Sequence, residues 1–491
     1  MMDKLKAFTD FRVGDLAVFR QSFGASDFES FSALSGDQNP LHHDETYAAE
    51  STFGRPIVPV HMTIAPLSRV AGMIFPGDPS LYLGHEVRSI LPVYYDETLI
   101  YSARIKAVHS ELRTITIRVL AIRGSEVVLD AEMRVMSRME NWRAVPVQSD
   151  LRPRPGRTLV TGAGGEIGTA LAVALARRDR PLLLLDRGPG PKRDKLEALL
   201  KPLVVSPVGV EFLACDLTND AALGELCETL ESRGDVSALF HTASPPIDAP
   251  LGELVQVNYT ALRRLAHAAL PSMLLRQDGV VVAIGSIATE RVIPGWHDYS
   301  AVKSMTGQFL TALNKSNSAF GVRGLTVLSG LVATEYSAVV HGTAPAMLPE
   351  ELADQVLRAA LDDRASSAVI IEAGATRRGN LGFHMEPALA AALPDPAAAV
   401  GELSREAGKE PAVASDLDAK IASTVRRKLA LPMDADLSGG GVGITPGWDS
   451  LRHIELVLLL ESTFGIHFAS GEVEKALDYE TLVQVVRRHL Q

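Results

Sequence analysis

A chain of 491 residues is longer than an ordinary single domain, and at about 150 residues per domain it predicts three. Hydrophobic residues make up 46% and charged residues 22%, enough apolar material for several cores, which excludes a disordered chain. The 48 Lys and Arg against 59 Asp and Glu leave a formal charge of −11, so no basic excess exists to neutralise phosphates, and a nucleic-acid partner is excluded.

Two stretches read as linkers, 146–156 with three prolines and 384–414 rich in Ala, Pro and charge, which predicts domains over 1–145, 157–383 and 415–491. In the first, Phe28, Phe31 and Leu34 recur at helical spacing before a break at Ser35-Gly36-Asp37. Residues 99–107, 114–121 and 127–135 then alternate, the pattern of antiparallel strands with one wet face, so this domain is α+β. The second domain alternates short apolar runs with helical segments and predicts an α/β doubly wound parallel sheet of the Rossmann kind. In the third, Leu451, Ile454, Val457, Leu458 and Phe464 line one helix face, predicting a small all-α bundle. Cys215 and Cys227 are too few for a disulfide framework and lack zinc-site spacing, which fits a reducing compartment. The N-terminus MMDKLKAFTD carries charge where a signal peptide needs apolar residues, and no run of about eighteen apolar residues occurs. The expected location is cytoplasmic, with no membrane partner.

In the first domain, the run from Leu34 to Asp44 sets Asp37 and His42 across a Pro-containing turn, with Asn39 placed to orient the loop. An acid and an imidazole so spaced can divide proton transfers at neighbouring carbons. His42, His43 and Asp44 have no further ligand at a recognisable spacing, so no metal is expected. With Phe53-Gly-Arg-Pro-Ile57, Tyr82-Leu-Gly-His-Glu-Val-Arg88 and Leu91-Pro-Val93, the run resembles the MaoC-like hydratase group of the hotdog fold over residues 10–140. That group includes (R)-specific enoyl-CoA hydratases. The resemblance implies that Asp37, Asn39 and His42 form the active-site loop, with His42 acting next to a thioester and Asp37 at the β-carbon. A departure is Pro59-Val60-His61-Met62, where the group usually has His-Gly-Met; Pro59 offers no N–H to a thioester oxygen.

In the second domain, Gly162, Gly165, Ile167 and Gly168 lie in a turn between a strand and a helix, where backbone N–H groups can approach a pyrophosphate. The next strand ends in Asp186, which can accept hydrogen bonds from a ribose diol and would repel a 2′-phosphate, favouring NAD(H) over NADP(H). Ser286 precedes Tyr299 by thirteen residues, and Tyr299 and Lys303 sit four apart on one helix face. A lysine cation stabilises phenolate and lowers a tyrosine pKa that is otherwise near 10. Together these parts resemble the short-chain dehydrogenase/reductase family over residues 157–381. The resemblance implies that Asn258 holds a proton-relay water, that Asp216 lies on the adenine side, and that 329–334, ending in Thr334, closes over the nicotinamide. Departures are Glu166 in place of Gly, and His241-Thr-Ala-Ser244 in place of Asn-Asn-Ala-Gly.

In the third domain a Gly-rich loop ends in Asp449-Ser450-Leu451 where the apolar helix starts. An exposed serine there can serve as an N-cap or accept a phosphodiester. The stretch from about 415 to the end resembles acyl carrier proteins of four helices, which implies 4′-phosphopantetheine on Ser450, although Arg452 and His453 stand where acidic residues are usual. The joint expectation is an enzyme of acyl thioesters with a built-in carrier: an NAD-linked 3-oxoacyl/3-hydroxyacyl oxidoreductase coupled to a 3-hydroxyacyl dehydratase or enoyl hydratase. Its partners would be a phosphopantetheinyl transferase and an acyltransferase or synthase, and the enzymatic resemblances imply at least a homodimer. Alternatives are a supplier of carrier-bound 3-hydroxyacyl groups and a carrier reductase with an inert hotdog domain.

Overall fold

The structure is a computed structural model that describes residues 5–7, 10–77, 80–137, 141–143, 154–203, 209–290, 293, 295–335, 346–362, 368–372, 375–379, 413–429, 431–432, 435–438, 440–441, 444–445, 448, 456–457, 459–460, 463–464, 466, 476 and 478–490. The chain divides into two compact units, 1–384 and 385–491.

The first unit opens with β1 (Leu5–Ala7), β2 (Leu16–Gln21), α1 (Ala25–Ser35) and α2 (Glu45–Glu50). A central helical run follows, made of α3 (Val60–Ile64), α4 (Pro66–Arg69) and a π segment, Val70–Ile74. Next come β3 (Ser80–Ser89), β4 (Leu99–His109), β5 (Thr114–Arg123), β6 (Glu126–Ser137) and β7 (Asn141–Arg143), which pairs with β1. The remaining five strands form one antiparallel sheet in the order β2-β4-β5-β6-β3. Its inward residues Ile115, Ile117, Val119 and Val135 share a core with Met62, Leu67 and Val70 of the helical run, the hotdog-like arrangement. Phe28 is buried as expected, but Leu34 is 89% exposed, so the buried stripe of α1 is shorter than its spacing predicted.

The parallel half contains β8 (Arg157–Thr161), α5 (Glu166–Ala176), β9 (Leu182–Asp186), α6 (Pro191–Leu200), β10 (Val210–Ala214), α7 (Asp220–Arg233), β11 (Val236–His241) and α8 (Leu251–Val255). A π segment, Gln256–Ala261, runs into α9 (Leu262–Arg276), and then come β12 (Gly279–Ile284), α10 (His297–Asn317), β13 (Val322–Ser329), α11 (Pro349–Leu357), β14 (Ala368–Glu372) and β15 (Ala375–Gly379). The sheet order is β10-β9-β8-β11-β12-β13-β14-β15, parallel except for the last pair. Helices cover both faces, which is why β9 is an unbroken run of leucines and not an alternating strand.

The two halves of this unit share a core, and here the expectation of a wet outer face on the antiparallel sheet is corrected. Leu120, Ile122 and Val127 pack with Leu265, Ala268 and Leu274 of α9, so that face is partly dry. Polar groups lock the joint. Gln277, in the left-handed region at φ 50°, donates through its side-chain amide to the carbonyl oxygens of Ser102 at 2.9 Å and Arg118 at 3.2 Å. Ser102 donates to the Leu275 carbonyl at 2.7 Å, and Arg104 donates to the carbonyls of Arg276 and Gln277.

The second unit contains α12 (Val413–Lys428) and α13 (Tyr479–Leu490), which share a core of Ile421, Val425, Trp448, Leu456, Leu460, Leu482 and Val486. Arg487 Nε donates to Asp418 at 3.0 Å across the two helices. Ser450 and residues 449–455 lie outside the described residues, as do most of the two predicted linkers. Among the described residues no helix is long and apolar enough to cross a membrane.

Removing the Gln277 amide leaves two buried carbonyls without its donor. Gln277→Ala should therefore destabilise the first unit by about 1–3 kcal/mol. Chemical denaturation followed by fluorescence checks this, and an unchanged midpoint would count against the joint.

Candidate active sites

In the antiparallel half, the loop after α1 folds on itself through local hydrogen bonds. Asn39 N–H donates to Asp37 Oδ1 at 3.1 Å, and Asn39 Oδ1 accepts the Leu41 N–H at 3.0 Å. This short ladder brings Asp37 Oδ2 to 3.9 Å from His42 Nε2. His42 Nδ1 lies 2.8 Å from the Ile57 carbonyl. A carbonyl can only accept, so Nδ1 carries a proton and Nε2 is the ring nitrogen that faces Asp37. Phe28 packs on both His42 and His43. Pro59 occupies the N-cap position of α3, and its carbonyl takes the Met62 N–H at 3.0 Å, so its missing N–H falls outside the helix ladder. Val60 is 38% exposed and thus does not fill the interior.

Sequence inspection missed Tyr95. It is placed by the ladder that pairs Ile57 with Tyr94 and joins the Val58 N–H to the Val93 carbonyl at 2.8 Å. Its hydroxyl is buried with no hydrogen-bond partner, and burial together with the Asp37 charge pushes its pKa up to about 12.

The parallel half carries a cleft of about 1630 Å3 lined by Gly162, Gly165, Ile167, Gly168, Asp186, Asp216, Ser286, Tyr299, Lys303 and Thr334. Thus all but one of the residues assigned to this domain by sequence meet in one cavity. The exception is Asn258, which is 1% exposed and sits behind the lining residue Val257. Asn258 Nδ2 donates to the Leu254 carbonyl at 3.0 Å, and its Oδ1 is buried without a protein partner.

The turn at Gly162 has φ +65°, and a Cβ there would stand 2.8 Å from Ala243; one on Gly168 would stand 2.2 Å from the Gly162 carbonyl oxygen. Only glycine lets strand, turn and helix approach this closely. Asp186 Oδ1 accepts the Gly188 N–H at 2.8 Å, while its Oδ2 is buried and unpartnered at the edge of the cleft. A carboxylate oxygen so placed, beside a glycine turn that opens a helix, fits the ribose of a dinucleotide. Thr218 donates to Asp216 from its N–H and its hydroxyl and holds that carboxyl below the usual range. Glu166 accepts the Glu335 N–H at 2.7 Å, and Lys192 binds the Glu335 carboxylate at 3.0 Å, so the turn is tied to the segment after β13.

On the opposite wall, Ser286 Oγ accepts the Ala288 N–H at 3.2 Å and keeps its own proton to donate. Lys303 Nζ donates to the Ile284 carbonyl at 2.9 Å and lies 5.5 Å from the Tyr299 ring centre, and Trp296 packs edge-on against that ring. Burial pushes the Lys303 pKa down to about 7, so the expected cation is held against desolvation; an anionic Tyr299 acts in the opposite direction. His241, the departure from Asn noted above, is fully buried, and burial with the Lys303 charge pushes its pKa down to about 3.

Residues 17–123 match the family model described as MaoC like domain, and residues 157–343 match short chain dehydrogenase. An (R)-specific enoyl-CoA hydratase of Aeromonas caviae is 35% identical over 124 residues, 24% of this chain and 92% of that protein. A very-long-chain 3-oxoacyl-CoA reductase of Caenorhabditis elegans is 30% identical over 208 residues, 39% of this chain and 64% of that protein. A solved 3-oxoacyl-(acyl-carrier-protein) reductase of Agrobacterium tumefaciens is 25% identical, covering 47% of this chain and all of that one, with a TM-score of 0.40.

Two outcomes follow from this geometry. A methyl group at Gly168 has no room, so Gly168→Ala should weaken nicotinamide-dinucleotide binding by about ten-fold or more; fluorescence titration with NADH and with NADPH measures it, and unchanged affinity for both would refute the cradle. His241 stays neutral when folded but titrates near 6.5 when unfolded, so the unfolded chain binds more protons between pH 6.5 and about 3 and stability falls as pH drops through that window. Melting temperatures should show this slope, and His241→Gln should flatten it. The chain belongs to the MaoC-like hydratase family through its first domain and joins that domain to a short-chain dehydrogenase, an oxidoreductase.

Proposed function

We propose that this chain interconverts 3-oxoacyl, 3-hydroxyacyl and 2-enoyl thioesters. Residues 157–383 act as the oxidoreductase and residues 1–145 as the hydratase or dehydratase. Residues 415–491 act as a four-helix carrier holding the acyl group on 4′-phosphopantetheine at Ser450. The observation that carries the reading is that Ser286, Tyr299 and Lys303 share one cleft with the glycine turn and Asp186. The names of the two relatives support the pairing of steps, since a 3-oxoacyl reductase and an enoyl hydratase both yield a 3-hydroxyacyl product.

A nicotinamide bound in the cleft supplies or takes the hydride at the β-carbon. The chain's own groups manage the oxygen and its proton. Ser286 donates a hydrogen bond to the substrate oxygen, and Tyr299 gives or takes the proton there. Lys303 stabilises the Tyr299 anion, and the unpartnered Asn258 Oδ1 is a site for the water that relays protons behind it. Asp186 Oδ2 accepts from the ribose diol, which favours NAD(H) over NADP(H). In the other domain, Nδ1 of His42 is committed to Ile57, leaving Nε2 to move the α-proton while Asp37 handles water or hydroxyl at the β-carbon.

Separate variants test the two reactions on a 3-oxoacyl and a 2-enoyl thioester. Tyr299→Phe should slow NADH-dependent reduction by about 10²–10⁴-fold, and His42→Ala should slow hydration by a similar factor. Either variant keeping both reactions at the wild-type rate would sink the assignment. Asp186→Ser should cost NADH affinity about ten-fold, with NADPH affected less. Intact-mass analysis after treatment with a phosphopantetheinyl transferase should show one added arm, absent in Ser450→Ala; an unmodified wild-type protein removes the carrier from the proposal.

A further inference from the structure

His241 is a buried titratable group that the chemistry above does not use, and its hydrogen bonds admit one arrangement. Its Nε2 lies 3.0 Å from the Val257 carbonyl, which only accepts, so Nε2 carries the proton. Nδ1, 2.9 Å from Thr161 Oγ1, is then the acceptor of a hydrogen bond donated by the threonine hydroxyl. Thr161 Oγ1 in turn accepts the Ala243 N–H at 3.4 Å. The ring thus spans from the last residue of β8, where the glycine turn begins, to the π segment Gln256–Ala261. In that segment the residue after Val257 is Asn258, whose own carbonyl accepts from Thr306 at 3.2 Å, one turn beyond Lys303 on α10.

A π segment lacks the regular bonding of an α-helix, and such segments recur at functional sites because one extra residue re-aims the backbone. Here His241 donates to the Val257 carbonyl, and the Thr306 hydroxyl is shared between the next carbonyl, Asn258, at 3.2 Å and Val302 of its own helix at 3.0 Å. The imidazole also places its N–H donor about one bond further from the backbone than an asparagine amide would.

We propose that His241 is a positioning residue of the oxidoreductase site: through its bond to Val257 it sets the π segment so that Asn258 is held against the Lys303 end of the cleft. The inference rests on the oxidoreductase reading above. It does not require His241 to touch substrate or cofactor, and the neutral ring is the form that accepts the Thr161 hydroxyl at Nδ1 while donating from Nε2 to Val257.

The test compares His241→Ala and His241→Gln in the full chain, using acetoacetyl-CoA and NADH as probes. Glutamine places an amide N–H close to the position of Nε2. The alanine variant should lose about ten-fold or more in kcat, with the NADH Kd within two-fold, and should show faster amide exchange across 256–261. The glutamine variant should recover most of both. An alanine variant with wild-type kcat and exchange, a glutamine variant as poor as alanine, or a loss of NADH affinity in step with kcat would overturn the proposal. Tyr299→Phe assayed in parallel separates the two levels. If it turns over normally, the oxidoreductase reading fails, and amide exchange still decides whether His241 holds the segment.

Discussion

The in-register pairing of the central parallel strands is the constraint on which the oxidoreductase half depends. Thr161 of β8 stands beside Leu185 of β9 on one side and His241 of β11 on the other, and His241 stands beside Ala283 of β12. Each strand therefore ends at nearly the same level. The glycine turn, Asp186, His241 and Ser286 all emerge along one edge, where the order of strands reverses between β8 and β11. In a parallel sheet covered on both faces, a slip by one residue would exchange the side chains packed against the two helix layers, so close packing holds the register. The chemistry is thus located by packing that has no chemical role.

The same half is braced from outside. The helical stretch that carries Asn258 in its π segment continues as α9 and ends at Gln277, which is clasped by Ser102 and Arg118 of the antiparallel sheet. One element thus links the wall of the cleft at Val257 to the joint with the hydratase-like half. The joint mixes apolar burial with directional hydrogen bonds to backbone carbonyls, and that combination favours one docking geometry over a loosely tethered pair. The covalent link alone already raises the mutual concentration of the two halves, and the joint adds a fixed arrangement.

Burial of ionisable groups sets the character of the cleft. Lys303 and His241 are both withdrawn from water, and desolvation disfavours the protonated form of each. His241 tolerates this because its ring is satisfied as a neutral donor and acceptor. Lys303 has a carbonyl and the Tyr299 ring close by, so its charge is coupled to the state of the tyrosine. In the hydratase-like site Asp37 is 34% exposed and His42 12%, so proton exchange with solvent there is easier.

The local devices were legible in the residues alone. The Gly162–Gly168 turn, the four-residue step from Tyr299 to Lys303, and the Asp37–Asn39–His42 loop are each built from neighbours in sequence, and short-range geometry is enough to define them. Alternation likewise marked β4, β5 and β6. It could not reveal that Leu120 and Ile122 on the outer face meet α9, because that contact joins residues about 145 positions apart. Tyr95 was silent for the same reason, and His241 stood out only as a departure from a motif: an orphaned hydroxyl beside Asp37, or an imidazole bridging Thr161 to Val257, has no sequence period. Sequence determined which side chains are available and how each turn closes. Tertiary structure alone decided which of them are buried together, since burial depends on partners that the chain brings near only after the sheet has formed.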